Sequence, residues 1–179
     1  MFEMKELGLH GAFEIHTRVF KDTRGDFNKK VHRGFFEKHS LQWNFEEQFY
    51  TTSKKNVVRG LHYQRPPHDH EKLIYCIGGS ATDVLLDLRK NSPTYGKSVA
   101  IDLDAGDGKS IYVPRGMAHG FLSRADNTIM MYSVSSCHAP EADDGVLWSS
   151  ISYKWNVANP ILSERDLTFP TLAKLESPF

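Results

Sequence analysis

Short apolar runs separated by turn residues are the dominant pattern along the chain. The clearest runs span residues 45–53, 73–77, 82–88, 98–103, 110–113, 120–123 and 128–135. Turn signals such as Gly78-Gly79 and Asn91-Ser92-Pro93 separate them. Strand-like runs at this spacing are typical of an all-β sandwich or barrel. The pattern therefore predicts an antiparallel jelly roll, whose barrel can hold a small ligand among inward-facing side chains.

Helical periodicity is weak and is confined to two places. One short peripheral helix is predicted over Phe35–His39 and another over the last fifteen residues. No internal repeat, low-complexity tract or linker interrupts the 179 residues. The chain, residues 1–179, is therefore predicted to form a single domain with a few short helices outside the barrel.

Charge and composition narrow the class of protein. Lys plus Arg and Asp plus Glu both number 22, so the formal net charge is zero. The balance argues against nucleic acid or a membrane surface as a partner. The N-terminus has no basic segment followed by an apolar run, and we expect a soluble, cytoplasmic protein. Cys76 and Cys137 each lie in an apolar stretch, which predicts two buried, reduced thiols.

One candidate for chemistry is the segment from Arg59 to Gln64, at the end of a strand-like run. Within it, His62 can act as a general base near neutral pH, and Arg59 can hold an anion with two hydrogen bonds. A single histidine in an apolar strand is more often a hydrogen-bonded structural residue. This segment alone therefore leaves both interpretations open.

A second candidate surrounds His119. Gly108, Pro114, Gly116 and His119 follow the spacing of the second signature of the cupin superfamily, which this segment resembles. The resemblance implies a double-stranded β-helix barrel with His119 projecting into it. The glycines and the proline suit the tight turn before the histidine.

The cupin resemblance raises a metal-dependent alternative. His68 and His70, together with His119, form the set of ligands that a facial metal site would need. Glu71 follows His70 directly and would point to the opposite side of a strand. Two prolines before His68 also indicate an exposed loop. We therefore expect no metal, and we keep the metal-dependent cupin as an alternative.

A more specific resemblance runs from about residue 12 to about residue 170. The chain resembles the dTDP-4-dehydrorhamnose 3,5-epimerase family in motifs that occur in family order: Asp22 to Phe27, Val58 to Gln64, Lys72, Asp83 to Arg89, Ser92 to Gly96, Val113 to Leu122, Met131-Tyr132 and Pro160 to Asp166. The resemblance implies a cofactor-free epimerase that acts on a nucleotide-linked 4-keto-6-deoxyhexose in deoxysugar biosynthesis. A base removes a proton beside the ketone, an enolate forms, and a proton returns on the opposite face.

The resemblance also implies catalytic roles. His62 matches the base, and Asp166 matches the carboxylate that orients it. Tyr132 matches the acid, and Lys72 matches the cation near the enolate oxygen. Taken singly, each has a structural interpretation that is favoured: Tyr132 as a core aromatic, Asp166 as a helix cap and Lys72 as a solvated edge residue. Their joint occurrence at family spacing favours the catalytic interpretation.

The remaining family positions concern substrate binding and assembly. Arg59 and His119 match residues near the sugar and diphosphate. Family members are homodimers that exchange N-terminal strands, which would bring Arg24 and Phe27 to the partner's site. We expect the same homodimer and a dTDP-linked or related nucleotide sugar as the substrate.

Departures from the family are found at the substrate periphery. Asn28 and Lys29 replace an aromatic and a glutamate, His138 replaces a stacking tyrosine, and the positions before the catalytic strand hold Glu47, Gln48 and Phe49. We expect Glu47, Phe49 and His138 to bind substrate, with contacts to the nucleotide or sugar that differ from those of the family. A non-catalytic nucleotide-sugar binding protein is the third alternative, although a binding protein needs neither the acid nor the base.

Overall fold

The computed structural model describes residues 2–179, which form an antiparallel β barrel. Its thirteen strands are β1 (Phe2–Glu6), β2 (Phe13–Thr17), β3 (Val19–Asp22), β4 (Gly25–Asn28), β5 (Glu47–Ser53), β6 (Val58–Gln64), β7 (Lys72–Gly78), β8 (Ser80–Asp87), β9 (Ser98–Asp104), β10 (Lys109–Val113), β11 (Met117–Ser123), β12 (Thr128–Val134) and β13 (Asp143–Gly145). A six-stranded sheet has the order β1-β2-β10-β7-β12-β5, and a five-stranded sheet has the order β13-β6-β11-β8-β9. Strands β3 and β4 form a separate hairpin.

The core lies between the two large sheets. Ile74 and Met130 of the six-stranded sheet pack in one cluster with Leu85, Leu103 and Phe121 of the five-stranded sheet. These side chains are 0 or 1% exposed. Complete burial of such a side chain stabilises the fold by roughly 1.5–3 kcal/mol. The apolar runs of the sequence therefore hold the two sheets together.

Two short helices lie outside the barrel. Helix α1 (Arg33–Lys38) buries Phe36 against the outer face of the six-stranded sheet. Helix α2 (Glu164–Thr168) begins at Ser163, whose hydroxyl accepts a hydrogen bond from the Asp166 N–H at 3.1 Å. Neither helix within residues 2–179 has the length and apolar character that crossing a bilayer requires.

The structure confirms the predicted antiparallel jelly roll and its central strands. Each apolar run between residues 45 and 135 lies in a strand, with ends that shift by up to three residues. Strands β1 to β4 were not predicted from the pattern. Strands β1, β3 and β4 are mostly exposed, whereas β2 buries Ile15 and Thr17 without a continuous apolar run.

Two expectations about the chain were wrong in detail. The last fifteen residues do not form one helix, because α2 ends at Thr168 and Pro170 cannot continue it. A 3-10 turn at Leu172–Lys174 follows. Cys76 is buried, but Cys137 is exposed. The chain leaves β12 at Val134, so the inward-facing alternation ends before Cys137 is reached.

Two glycines, Gly60 on β6 and Gly120 on β11, allow these neighbouring strands to approach each other closely. Gly60 has a φ of +116°, and a Cβ atom there would lie 2.6 Å from the Gly120 Cα. A Cβ atom on Gly120 would lie 2.6 Å from the Arg59 carbonyl oxygen. Only glycine fits at either position. Across the same two strands, His62 pairs with His119.

Candidate active site

A cavity of about 390 Å³ opens between the two large sheets. Polar and aromatic side chains line it from both sides. The five-stranded sheet contributes Arg59, His62 and His119, and the six-stranded sheet contributes Phe49, Lys72 and Tyr132. The structure therefore brings together most of the residues that the sequence placed in one site.

His62 and Asp166 form a hydrogen-bonded dyad at the wall of the cavity. The His62 Nε2 lies 2.9 Å from the Asp166 Oδ1, and the Gly60 N–H donates to the Asp166 Oδ2 at 3.0 Å. Burial disfavours the charged carboxylate, but the hydrogen bonds from His62 and Gly60 outweigh it and hold the pKa of Asp166 below its usual value. An ionised Asp166 fixes the proton on Nε2, which leaves the Nδ1 lone pair of His62 for a substrate.

His119 is bonded to a second buried carboxylate. Its Nε2 lies 2.7 Å from the Asp83 Oδ2, and both side chains are almost fully buried. Burial lowers the pKa of His119, although the nearby Asp83 carboxylate opposes that shift. The imidazole is therefore neutral near pH 7, and a ligand in the cavity meets a hydrogen-bonding group that is fixed in orientation.

Tyr132 stands on the opposite sheet from His62. It is 5% exposed, and its ring stacks on Phe49 at a centroid distance of 4.8 Å and packs edge-on against His119 at 5.8 Å. Burial raises the pKa of Tyr132, and the negative charge of Asp83 raises it further. The phenol keeps its proton at neutral pH. It can therefore act as a general acid in a reaction, but not as a general base.

Lys72 opens β7 and is buried in the wall of the cavity, not solvated at a strand edge. Burial lowers its pKa to about 8, while the charges of Asp143 and Asp83 partly offset the shift. The ammonium group is thus still mainly protonated at neutral pH. It supplies a positive charge that is screened little, because the side chain is buried.

Other predicted substrate contacts lie at the cavity rim. The Arg59 Nε donates to the Ser53 Oγ at 3.1 Å, its Nη2 donates to the Thr52 carbonyl at 3.3 Å, and the residue lines the cavity. Glu47 and His138 also line the cavity, and the His138 backbone N–H donates to the Glu47 carboxylate at 2.8 Å. The positions that depart from the family thus face the space where a ligand would bind.

Arg24 and Phe27 are not brought to this cavity. Both lie on the β3–β4 hairpin, where Arg24 is exposed and pairs with Asp22 at 2.5 Å. Phe27 is 60% exposed and packs on Phe20 at 6.4 Å. Within a single chain, these two predicted residues contribute nothing to the cavity of Tyr132 and His62.

The three histidines of the metal alternative are held by other partners. The His68 ring lies 3.6 Å from Glu141, the His70 Nδ1 lies 3.1 Å from the Ser136 hydroxyl, and His119 is bonded to Asp83. Burial lowers the pKa of His70 to about 3. Within residues 2–179, no group of three or more His, Cys, Asp or Glu is placed to hold a metal ion.

Sequence reasoning missed three residues around the site. Asp83 bonds to His119, Asp143 lines the cavity, and Phe169 packs on the His62 ring. A carboxylate in the apolar stretch from Thr82 to Leu88 was the available signal for Asp83, since buried carboxylates need partners. Nothing in the local sequence identified Asp143 or Phe169.

Comparison with known proteins covers nearly the whole chain. Residues 6–174 match the dTDP-4-dehydrorhamnose 3,5-epimerase family. The dTDP-4-dehydrorhamnose 3,5-epimerase of Shigella flexneri is 37% identical over 156 residues, which is 86% of each chain. The crystal structure of the Bacillus anthracis dTDP-4-dehydrorhamnose 3,5-epimerase with TDP and PPi bound has a TM-score of 0.92 at 33% identity, covering 96% of this chain and 100% of that one.

A further structural relative is a 3'-monoepimerase from Streptomyces bikiniensis in complex with dTDP-quinovose. It has a TM-score of 0.89 at 28% identity and covers 95% of this chain and 88% of that one. The match to the family spans nearly the whole chain and does not depend on the site motifs alone. The chain therefore belongs to the dTDP-4-dehydrorhamnose 3,5-epimerase family, which confirms the predicted family and the predicted enzyme class, an isomerase.

Proposed function

We propose that this protein epimerises a nucleotide-linked 4-keto-6-deoxyhexose at the carbons next to its ketone, as a step in deoxysugar biosynthesis. The observation that carries the proposal is the placement of a base and an acid on opposing sheets of one cavity. His62 lies on β6 of one sheet, and Tyr132 lies on β12 of the other. Inversion of a carbon requires a proton to leave one face and return to the other, which this arrangement suits.

His62 is the proposed base. Its Nε2 is held by Asp166, so Nδ1 takes the proton from the carbon next to the ketone. The imidazolium that forms is stabilised by the Asp166 carboxylate at 2.9 Å. The hydrogen bond from the Gly60 N–H keeps that carboxylate ionised and oriented. The His62–Asp166 pair therefore acts as a base alone, and no covalent bond to the substrate is formed.

Lys72 and Tyr132 are the proposed stabiliser and acid. Removal of the proton moves negative charge to the ketone oxygen, and a buried ammonium group stabilises that charge better than water does. Tyr132 then delivers its proton to the opposite face of the enolate. Its raised pKa keeps the phenol protonated at neutral pH, so the proton is present when the enolate forms.

Arg59 and His119 are proposed to hold the sugar and the diphosphate. The Arg59 guanidinium at the rim can bind phosphate oxygens, and the fixed imidazole of His119 can bond to the sugar. Glu47, Phe49 and His138 at the same opening would then contact the nucleotide end or the sugar edge.

Because activated sugars are made in the cytoplasm, we propose a cytoplasmic location for the protein.

We propose that the protein is a homodimer whose exchanged N-terminal hairpins complete the neighbouring site. The β3–β4 hairpin forms its own two-stranded sheet and exposes the rings of Phe20 and Phe27. Exposed aromatic pairs of this kind are typical of surfaces that a partner covers. Arg24 at the tip of the hairpin would supply a cation to the diphosphate in the partner's site.

Solvent exchange tests the reaction. The protein is incubated with dTDP-4-keto-6-deoxyglucose in heavy water, and C3 and C5 are followed by NMR. Deuterium with inversion at both carbons is expected of a 3,5-epimerase, and His62→Asn should abolish it. His68→Asn is the matched control, since His68 lies outside the cavity, and it should retain the rate. Wild-type exchange by His62→Asn would refute the assignment of the base.

The same experiment distinguishes a second candidate, a single-centre epimerase, which the similarity to a 3'-monoepimerase supports. Deuterium at one carbon alone would establish it. No exchange at either carbon, together with tight binding of the nucleotide sugar, would instead indicate the non-catalytic binding protein.

Mixing two inactive variants tests the homodimer. Arg24→Ala and His62→Asn are each expected to lose activity. In their mixed dimer, one site receives an intact His62 from its own chain and an intact Arg24 from the partner. Random mixing should therefore restore about a quarter of wild-type activity, as the binomial distribution of chains requires. If Arg24 served its own chain, mixing would restore none.

A further inference from the structure

Phe169 follows α2 and packs directly on the proposed base. Its ring centroid lies 5.7 Å from that of His62, with the two rings inclined at 73°. Asp166, three residues earlier, holds the His62 Nε2. We infer that Phe169 is a positioning residue for His62, which fixes the plane of the imidazole while Asp166 fixes one of its atoms. This inference rests on the proposed role of His62 as the base.

The space for the Phe169 ring is created by Gly145. Gly145 stands opposite His62 in the pairing of β13 with β6. A Cβ atom on Gly145 would lie 2.5 and 2.6 Å from two atoms of the Phe169 ring. The ring therefore occupies the place that a side chain of β13 would otherwise take, beside the strand that carries the base. Any larger residue at 145 would push the ring away from His62.

The other side of the Phe169 ring is held by Arg165. The guanidinium carbon of Arg165 lies 5.2 Å from the ring centroid, and the Arg165 Nη1 lies 2.9 Å from the Asp143 Oδ2. The backbone after Phe169 is fixed as well, since the Leu147 N–H donates to the Pro170 carbonyl at 2.9 Å. Phe169 is thus held on two sides and cannot move freely away from the imidazole.

The need for such a contact follows from the geometry of His62. One hydrogen bond to Nε2 restrains a single ring atom and leaves the imidazole free to rotate about that contact. The His62 side chain is 31% exposed toward the open cavity, where few groups restrain it. Proton transfer requires the Nδ1 lone pair to be aligned with the C–H bond, so a tilted ring lowers the rate without weakening substrate binding.

The variant Phe169→Leu tests this role, because leucine keeps an apolar side chain but removes the ring. We expect kcat to fall roughly 3- to 10-fold, the rate equivalent of one aromatic pair, with KM nearly unchanged. Phe169→Tyr keeps the ring and should restore kcat. Phe169→Met is the second apolar variant, with the same expected loss, should the leucine variant fail to fold.

Phe179→Leu is the matched control. Phe179 packs edge-on against Tyr63 at 5.6 Å and 71°, a contact of the same geometry that does not involve His62. It should keep kcat even where its thermal midpoint falls as far as that of Phe169→Leu. A loss of kcat in Phe169→Leu no larger than in Phe179→Leu, or no rescue by Phe169→Tyr, would overturn the positioning role alone. If His62→Asn kept wild-type exchange, the proposed base and this inference would both fall.

Discussion

Lys72→Met should make the protein more stable and less active. Methionine has nearly the length of lysine and no charge, so it fills the same space in the cavity wall. In the folded chain, burial lowers the pKa of Lys72 from 10.5 to about 8. One pKa unit corresponds to about 1.36 kcal/mol, so the protonated amine costs the folded state about 3 kcal/mol. Part of this cost is recovered in the variant, and we expect a gain of ~1–3 kcal/mol at pH 7.

The stability gained by Lys72→Met should depend on pH, and this dependence tests the lowered pKa of Lys72 more directly. Between pH 8 and 10.5 the unfolded chain keeps the Lys72 proton while the folded chain has lost it. The unfolded state then binds more protons, so the wild-type free energy of unfolding rises with pH in this window. The advantage of Lys72→Met is therefore fully present below pH 8 and disappears as the pH approaches 10.5.

Urea unfolding at pH 7 and at pH 10 measures both effects, because urea adds no charge that would screen the amine. Lys97→Met is the control, since Lys97 is exposed, and it should change little at either pH. The variant Lys72→Met should also lose most of its turnover, because the enolate oxygen loses its cation. A variant that is less stable than the wild type at pH 7, or a gain that persists unchanged at pH 10, would refute the reasoning.

Asp166, Gly120 and the two cysteines each provide a further test. Asp166→Asn should lower the exchange rate by roughly 10²-fold or more, because the ionised partner of His62 is lost, and a rate within tenfold of the wild type would contradict the dyad. The same variant should cost stability at pH 7 but not well below pH 4, because the lowered pKa of Asp166 stabilises the fold only while the carboxylate is ionised. Gly120→Ala should destabilise the protein by more than ~2 kcal/mol in urea unfolding, because its Cβ would meet the Arg59 carbonyl, whereas Gly34→Ala within α1 should be neutral or stabilising. A thiol reagent should modify exposed Cys137 rapidly and leave Cys76 intact until the protein unfolds, since Cys76 is buried and burial raises its pKa to about 11; equal rates for the two thiols would contradict this difference in burial.

The barrel could be predicted from the sequence because its central strands coincide with the apolar runs. Strands such as β8 and β12 are buried along most of their length, and their apolar runs are bounded by turn residues. The N-terminal strands gave no such signal, since their burial comes from neighbours that are distant in the sequence. Residue Thr17, for example, is buried by contact with Gly108. The single domain stays a prediction.

The site was predicted only as far as its residues fall within motifs. One cavity is lined by His62, Lys72, Tyr132 and His119. Asp166 lies outside its lining and is hydrogen-bonded to His62. Of the partners that set their orientation, Asp83 had a signal in the sequence, a carboxylate within an apolar run, whereas Phe169 reaches His62 only through tertiary packing. Arg24 and Phe27 lie on the outer hairpin, and their role depends on a second chain that one sequence pattern does not describe.

The most direct test of the central claim, that a base and an acid act from opposing sheets, is Tyr132→Phe in heavy water. His62 remains able to remove a proton and to return a deuteron to the same face, so the account predicts that deuterium enters without inversion. The epimer itself should form roughly 10²-fold more slowly or not at all, because no acid serves the opposite face. Epimer formation by Tyr132→Phe at a rate near that of the wild type would contradict the account.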